Sequence, residues 1–197
     1  QLRANPVVSR RIHLHPVTES QNQTPAASKR RRFLRWVLIS IAALVVALGI
    51  GAYAIYWWWT PPVTRISKVV YTERKGKKIT LDVIKPEKPN GAAIALMVSG
   101  RWKSESNSKS IALMAPLLRR GYTVFAVSHG SQPEFTVMEI VDDVQRSIRF
   151  IRAHAAEHGV NPNRIGVTGG SSGGHLCLML ATKGGPGKPD AADPVDR

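Results

Sequence analysis

Cysteine is nearly missing from this sequence. Cys177 is the single one among 197 residues, so an intramolecular disulfide framework and any thiolate-based metal cluster are excluded. It falls on the apolar side of a helix-like segment and reads as a buried core thiol. Acidic residues are scarce too: thirteen Asp and Glu stand against twenty-eight Lys and Arg, for a net charge of +15. The excess is not a nucleic-acid footprint, which would cluster its charge on one element with interleaved aromatics. Residues 1–60 hold eight basic residues, five of them in Lys29-Arg30-Arg31-Arg32 and Arg35, while twenty more are scattered over residues 61–197. Scattered charge reads as solvated surface, and no nucleic-acid partner is expected. No internal repeat is found. The sequence opens on Gln1 rather than Met, which reads as an N-terminus that is processed or continues upstream.

Charge of either sign is absent from Trp36 to Trp59, a run of 24 residues. At ~1.5 Å per residue such a helix spans roughly 36 Å, against a hydrocarbon core of about 30 Å. A core helix of a soluble domain rarely runs so long without polar residues. A signal peptide competes, because Ala52-Tyr53-Ala54 resembles a cleavage site and the basic stretch before it resembles an n-region. The tail ahead of the run and the aromatic cluster Tyr56-Trp57-Trp58-Trp59, placed as a membrane-interface belt, favour an uncleaved anchor. The expected organisation is a disordered basic cytoplasmic tail over 1–32, a transmembrane anchor over 33–60, and a domain over 61–197 outside the cytoplasm.

Beyond Pro61-Pro62, residues 68–72 and 79–84 are β-rich and separated by a hairpin-like turn at Gly76. Residues 92–98, 122–127 and 164–168 are short apolar runs suited to buried parallel strands. Helical periodicity fills the gaps: over 108–120, stopped by Gly121; over 137–158, stopped by Gly159; and over 173–182. The order β-β, then β-α-β-α-β-α, predicts an α/β fold, a mainly parallel sheet flanked by helices with an antiparallel start. Residues 183–197, dominated by Gly, Pro, Lys and Asp, read as a loop.

The last of these strands runs into Gly169-Gly170-Ser171-Ser172-Gly173-Gly174-His175-Leu176, and a helix follows. This is the layout of a nucleophile elbow, Gly-x-Ser-x-Gly, in which a strained strand-to-helix turn holds a serine Oγ out at the top of a sheet. Two registers fit. Gly169–Gly173 puts the nucleophile at Ser171, and Gly170–Gly174 puts it at Ser172. A strand ending near Thr168 favours Ser171. A P-loop would need Lys and then Ser or Thr after its last glycine, where His175 and Leu176 stand. A dinucleotide fingerprint would sit on the first strand of its domain.

The elbow resembles that of the α/β-hydrolase fold, in the esterase and lipase branch with feruloyl-esterase-like and prolyl-oligopeptidase-like relatives. Members carry Gly-x-Ser-Ala-Gly-Gly-His-Leu, which Gly169–Leu176 matches with Ser172 in the alanine place. The segments Asp143-Val-Gln-Arg-Ser-Ile-Arg-Phe-Ile-Arg152 and Val160-Asn-Pro-Asn-Arg-Ile165 are similar to those that precede such an elbow. The likeness covers residues 66–197, the N-terminal half of such a domain, and it implies the register on Ser171. Relatives use His-Gly-Gly-Gly-Trp as the oxyanion loop; here Val98-Ser99-Gly100-Arg101-Trp102 stands in that place. The resemblance therefore implies an oxyanion hole of the Ser172 N–H with the Gly100 and Arg101 amides, Arg101 taking the φ of a family glycine.

In this fold the triad runs in chain order Ser, Asp or Glu, His, and only 26 residues follow Ser171. None of the six histidines occupies the base position. His175 reads as a packing residue one helical turn on, and His129 as a loop residue just past a strand end. His154 and His158, at i and i+4, have metal-binding spacing but no third ligand nearby, so no metal is expected. Asp142 and Asp143 read as structural. The resemblance implies a membrane-anchored serine hydrolase, cut short, that acts on a small-molecule ester, or less readily a peptide, through an acyl-serine, with no cofactor and inactive as this fragment. Its rival is a non-catalytic hydrolase-like binding module.

Overall fold

The computed structural model of the chain describes residues 25–104, 113–185 and 187–196. The chain divides into two units, Gln1–Ile50 and Gly51–Arg197. Helix α1, Pro25–Trp59, has no apolar face because it is apolar all round. Its large side chains from Phe33 to Trp59 are exposed. Within Lys29–Trp59 an 18-residue window reaches a mean hydropathy of 2.4, so the helix is by length and composition enough to cross a membrane. The helix starts ahead of the boundary expected at residue 33 and carries the basic run Lys29–Arg32. The rest of the expected tail, residues 1–24, lies outside the described residues. At the other end, Thr60 N–H donates to the Tyr56 carbonyl, and Pro61-Pro62, lacking N–H groups, cannot continue the ladder.

Strands β1 (Val63–Arg74) and β2 (Lys77–Pro86) form an antiparallel hairpin. Lys75 and Gly76 both have positive φ, 52° and 71°, which is the turn whose twist suits a two-residue hairpin. Both strands outrun the alternation that revealed them, because their ends are Lys- and Arg-rich. β3 (Ala93–Met97), β4 (Thr123–Val127) and β5 (Ile165–Thr168) complete a five-stranded sheet in the order β1-β2-β4-β3-β5. The β2–β4 pairing is antiparallel, while β4–β3 and β3–β5 are parallel. The sheet is therefore mixed, with the expected antiparallel start and parallel strands beyond it.

Alternation decides which residues face which layer. Ala93, Ala95, Met97, Phe125 and Val127 enter one buried cluster, and Leu96, Val98, Val124 and Ala126 the other. Helices α3 (Val137–Ala153) and α4 (Ser172–Lys183) cover the first face through Ile140, Val144, Ile151 and Leu176. Helix α2 (Ala115–Arg119) covers the second through Leu118. Much of the helix expected over 108–120 falls in 105–112, outside the described residues. Gly121, at φ 87°, follows α2 as expected, and a Cβ there would lie 2.7 Å from the Lys88 carbonyl.

Helix α3 opens with a full capping box: Thr136 Oγ1 accepts from the Glu139 N–H while the Glu139 carboxylate accepts from the Thr136 N–H. That backbone bond, with the Lys75 ammonium at 3.0 Å, holds the Glu139 carboxyl down at about 2. The α-helix stops at Ala153. A 3₁₀ turn, Ala156–His158, follows, and Gly159 closes it in the left-handed region at φ 70°. The single helix expected to His158 is thus two elements. At the C-terminal end, Asp193 and Asp196 are ion-paired to Arg146, and Arg149 reaches Asp196 at 3.0 Å. The segment read as a loop is tied down along α3.

Candidate active site

The elbow is built by exclusion. A Cβ on Gly169 would lie 2.6 Å from the Gly173 carbonyl carbon, and one on Gly173 would lie 2.6 Å from the Met97 carbonyl oxygen. Neither site has room for a side chain, because α4 starts against the strand it has just left and against β3. Gly170 has nothing within 4 Å of its Cβ position. The glycine frame that sterics demands is therefore Gly169–Gly173. Between them Ser171 sits at φ 53°, ψ −123°, a conformation that costs a non-glycine residue on the order of 1–3 kcal/mol. Ser171 is exposed, and its Oγ has no hydrogen-bond partner among the described residues. Ser172 is the first residue of α4 and is buried.

Across from the elbow, the chain leaves β3 in a tight turn. The Gly100 N–H donates to the Lys103 carbonyl at 2.9 Å and the Lys103 N–H returns to the Gly100 carbonyl at 3.0 Å. Arg101 and Trp102, between them, both have left-handed φ, 53° and 55°. Arg101 does adopt a glycine's conformation. The Gly100 amide, expected as a third oxyanion donor, here donates to the Lys103 carbonyl. The N–H groups of Arg101 and Ser172 are among those left without acceptors among the described residues, the latter as an orphan donor of the first helical turn.

The Ser172 hydroxyl joins the two segments. Its Oγ accepts from the Trp102 N–H at 3.2 Å and lies 3.1 Å from the Ser99 Oγ. Nothing in the sequence points to this contact, since the matching family residue is alanine and only the Ser172 backbone carries an expected role. A second tier buttresses the turn. Ser104 Oγ donates to the Val98 carbonyl at 2.6 Å, Ser104 N–H donates to Ser131 Oγ at 3.0 Å, and Gln132 N–H donates to the Trp102 carbonyl at 3.1 Å.

Beneath that tier lie His129 and Asp143. His129 is buried, its Nδ1 beside the Gly130 carbonyl and its Nε2 without a partner. Burial pushes its pKa down, more than the Gly130 carbonyl and Asp143 push it up. Asp143 accepts from Arg74 Nε at 2.8 Å and from the Gly130 N–H at 3.3 Å. Burial raises its carboxyl pKa, and Arg74 opposes the rise. Asp143 ties the loop after β4 to α3 and β1.

The other singled-out side chains lie apart from one another. His154 stacks on Phe150 at 4.1 Å and His158 meets Phe125 edge-on at 5.4 Å. The break after Ala153 removes their shared helical face, and the described residues contain no group of three ligands that could hold a metal. His175 is exposed, edge-on to Trp102 at 6.0 Å. Cys177 is only half-buried, and burial raises its thiol pKa.

With the geometry in hand, known proteins can be set beside the chain. The BD-FAE family model matches residues 81–191. A "Probable carboxylic ester hydrolase" of Mycobacterium tuberculosis is 32% identical over 83 residues, covering 42% of this chain and 19% of its own length. A "Probable isoprenylcysteine alpha-carbonyl methylesterase" of Oryza sativa subsp. japonica is 24% identical over 176 residues, covering 84% of the chain and 42% of its own length. The chain thus spans less than half of either curated relative. Among solved structures, a truncated carbohydrate esterase from gut microbiota superposes with TM-score 0.52 at 32% identity, over 59% of this chain and 42% of that one.

Proposed function

The chain belongs to the BD-FAE family of α/β-hydrolase esterases, and on that premise we propose that it is the nucleophile-bearing part of a serine hydrolase of carboxylic esters, with Ser171 as nucleophile. The observation that carries the reading is the Ser171 backbone: left-handed, exposed, and framed by two glycines that admit no side chain. In the proposed reaction Ser171 Oγ attacks the ester carbonyl carbon, its proton passes to a general base, and the alcohol leaves from the tetrahedral intermediate to give an acyl-serine. Water repeats the sequence and releases the acid. The negative oxygen of each tetrahedral intermediate would be held by the Ser172 and Arg101 N–H groups. Such donors act best when fixed before charge develops, and losing one costs roughly 10²–10³ in kcat in a worked case.

No histidine ring bonds the Ser171 hydroxyl among the described residues, so we assign the base and its carboxylate partner to polypeptide outside this sequence, as the greater length of the relatives allows. The 197-residue chain alone should then hydrolyse esters no faster than background. A fluorophosphonate probe on the complete protein tests the assignment: it should label wild type and fail on Ser171→Ala. Absence of labelling from the intact wild type would favour a non-catalytic hydrolase-like module instead.

We further propose that Trp36 to Trp59 anchors the protein, with the basic residues before it cytoplasmic and residues 61–197 across the membrane. The uncharged 24-residue run, its fully exposed apolar surface and its terminal tryptophans support this. Protease added to intact spheroplasts should remove residues 61–197. Their release without protease would show that the segment is cleaved after Ala54 instead.

A further inference from the structure

Resting on that reading of the site, we infer that the Ser172 hydroxyl is a positioning residue that clamps the oxyanion turn to the elbow. The turn needs a clamp. Two consecutive non-glycine residues, Arg101 and Trp102, sit at φ 53° and 55°, where side chains are disfavoured. Among the described residues, and outside the turn's own Gly100–Lys103 pair, its backbone is held at two points: the Trp102 carbonyl by Gln132 N–H, and the Trp102 N–H by Ser172 Oγ. The second is the one that reaches the elbow.

Ser172 is suited to the task by burial and by position. Only 4% of it is exposed, so water does not compete for the hydroxyl. As first residue of α4 it directs its N–H to the proposed oxyanion position while its side chain fixes the neighbour of the second donor, Arg101. One residue thus supplies one donor and sets the register of the other. The Ser99 Oγ, 3.1 Å away, orients the hydroxyl: whichever serine donates, a lone pair of Ser172 Oγ is left for the Trp102 N–H. Ser99 therefore acts through Ser172, and its loss should be smaller and not additive with loss of Ser172.

The test combines amide exchange on the chain as given with fluorophosphonate labelling of the complete protein, each for Ser172→Ala, Ser99→Ala and the double variant. One neutral hydrogen bond corresponds to about a tenfold change at most. Ser172→Ala should speed exchange at the Trp102 amide about tenfold, leave amides 174–180 of α4 as in wild type, and slow labelling of Ser171 by about the same factor. Ser99→Ala should give roughly two- to threefold effects, and the double variant should match Ser172→Ala alone. Unchanged exchange at Trp102 in Ser172→Ala overturns the clamp, as does acceleration spread evenly through α4, which would mark a packing role. Fully additive effects would overturn the relay through Ser99. If wild type does not label, the nucleophile assignment fails, and exchange at Trp102 alone decides the clamp.

Discussion

The elbow after β5 and the turn after β3 both carry the chain away from the C-terminal end of a parallel strand, and both contain left-handed non-glycine residues. They are held in different ways. At the elbow, glycines are required because carbonyl groups stand 2.6 Å from where a Cβ would go. In the turn, the Gly100 Cβ position has nothing within 4 Å, and the shape is kept by hydrogen bonds to Lys103, Gln132 and Ser172. A steric frame can change only if the helix moves, whereas a hydrogen-bonded turn tolerates new side chains provided its partners adapt. That contrast explains how Arg101 and Trp102 occupy the turn while the elbow retains its glycines.

The largest effect should come from putting a side chain into the steric frame. Gly173→Ala should destabilise the protein by about 3 kcal/mol, while Gly170→Ala should stay within about 0.5 kcal/mol. Urea unfolding of the chain in detergent micelles would measure both. Equal shifts for the two variants would break the steric account of the elbow.

Acid should separate the two regions next. Because burial lowers the folded pKa of His129 below its ordinary 6.5, the unfolded chain takes up a proton that the folded one does not. Stability should therefore fall as pH drops below 6.5, by at most ~1.4 kcal/mol per pH unit, until the folded value is reached. His158 is lowered in the same direction. Asp143, raised by burial, acts oppositely and only nearer the carboxylate range. Between pH 7.5 and 5.5, exchange corrected for its intrinsic rate should quicken at 130–132, which follow His129 in its loop, and at 101–104, which Ser131 and Gln132 hold, and not at the elbow. His129→Gln should flatten the slope; an unchanged slope would remove His129 as its source.

The smallest effect should be the relief of strain at the left-handed serine and arginine. Ser171→Gly and Arg101→Gly should each raise stability by roughly 0.5–1 kcal/mol, read as an increase in thermal midpoint. A gain at Ser171 without one at Arg101 would show that the hydrogen-bonded turn is not strained.

The parts of the fold that follow a period were legible. β3 and β4 were placed to within a residue because continuous apolar runs of that length fit buried strands, and the start of α3 because Ile140, Val144 and Ile151 recur on one face. What escaped was set by φ or by a partner far along the chain. The stop at Ala153 leaves no mark on the apolar pattern, which runs on to Ala155, and the His154–His158 pair lost its spacing with it. The Gly100–Lys103 turn has no composition signal, since its left-handed positions are Arg and Trp. The Ser172 hydroxyl finds its partners 70 and 73 residues away, beyond any local reading. Asp193 and Asp196, 47 and 50 residues from Arg146, escaped for the same reason.

The two margins of the sheet differ in how much further bonding they permit. At β1 the register slips twice, between Ile66 and Val69 and between Val70 and Thr72. Lys68 there turns left-handed at φ 60°, with its N–H directed back to Asp82 at 2.8 Å. A ribbon so kinked offers no straight row of donors and acceptors to a newcomer. At β5, by contrast, four unbroken residues pair with β3 on one side alone, and Val167 is 40% exposed. The sheet therefore has a directional valence, saturated at the hairpin and free beside the strand that leads into Ser171. Any strand added there would lie next to the proposed nucleophile, so growth of the sheet and furnishing of the site would be a single event.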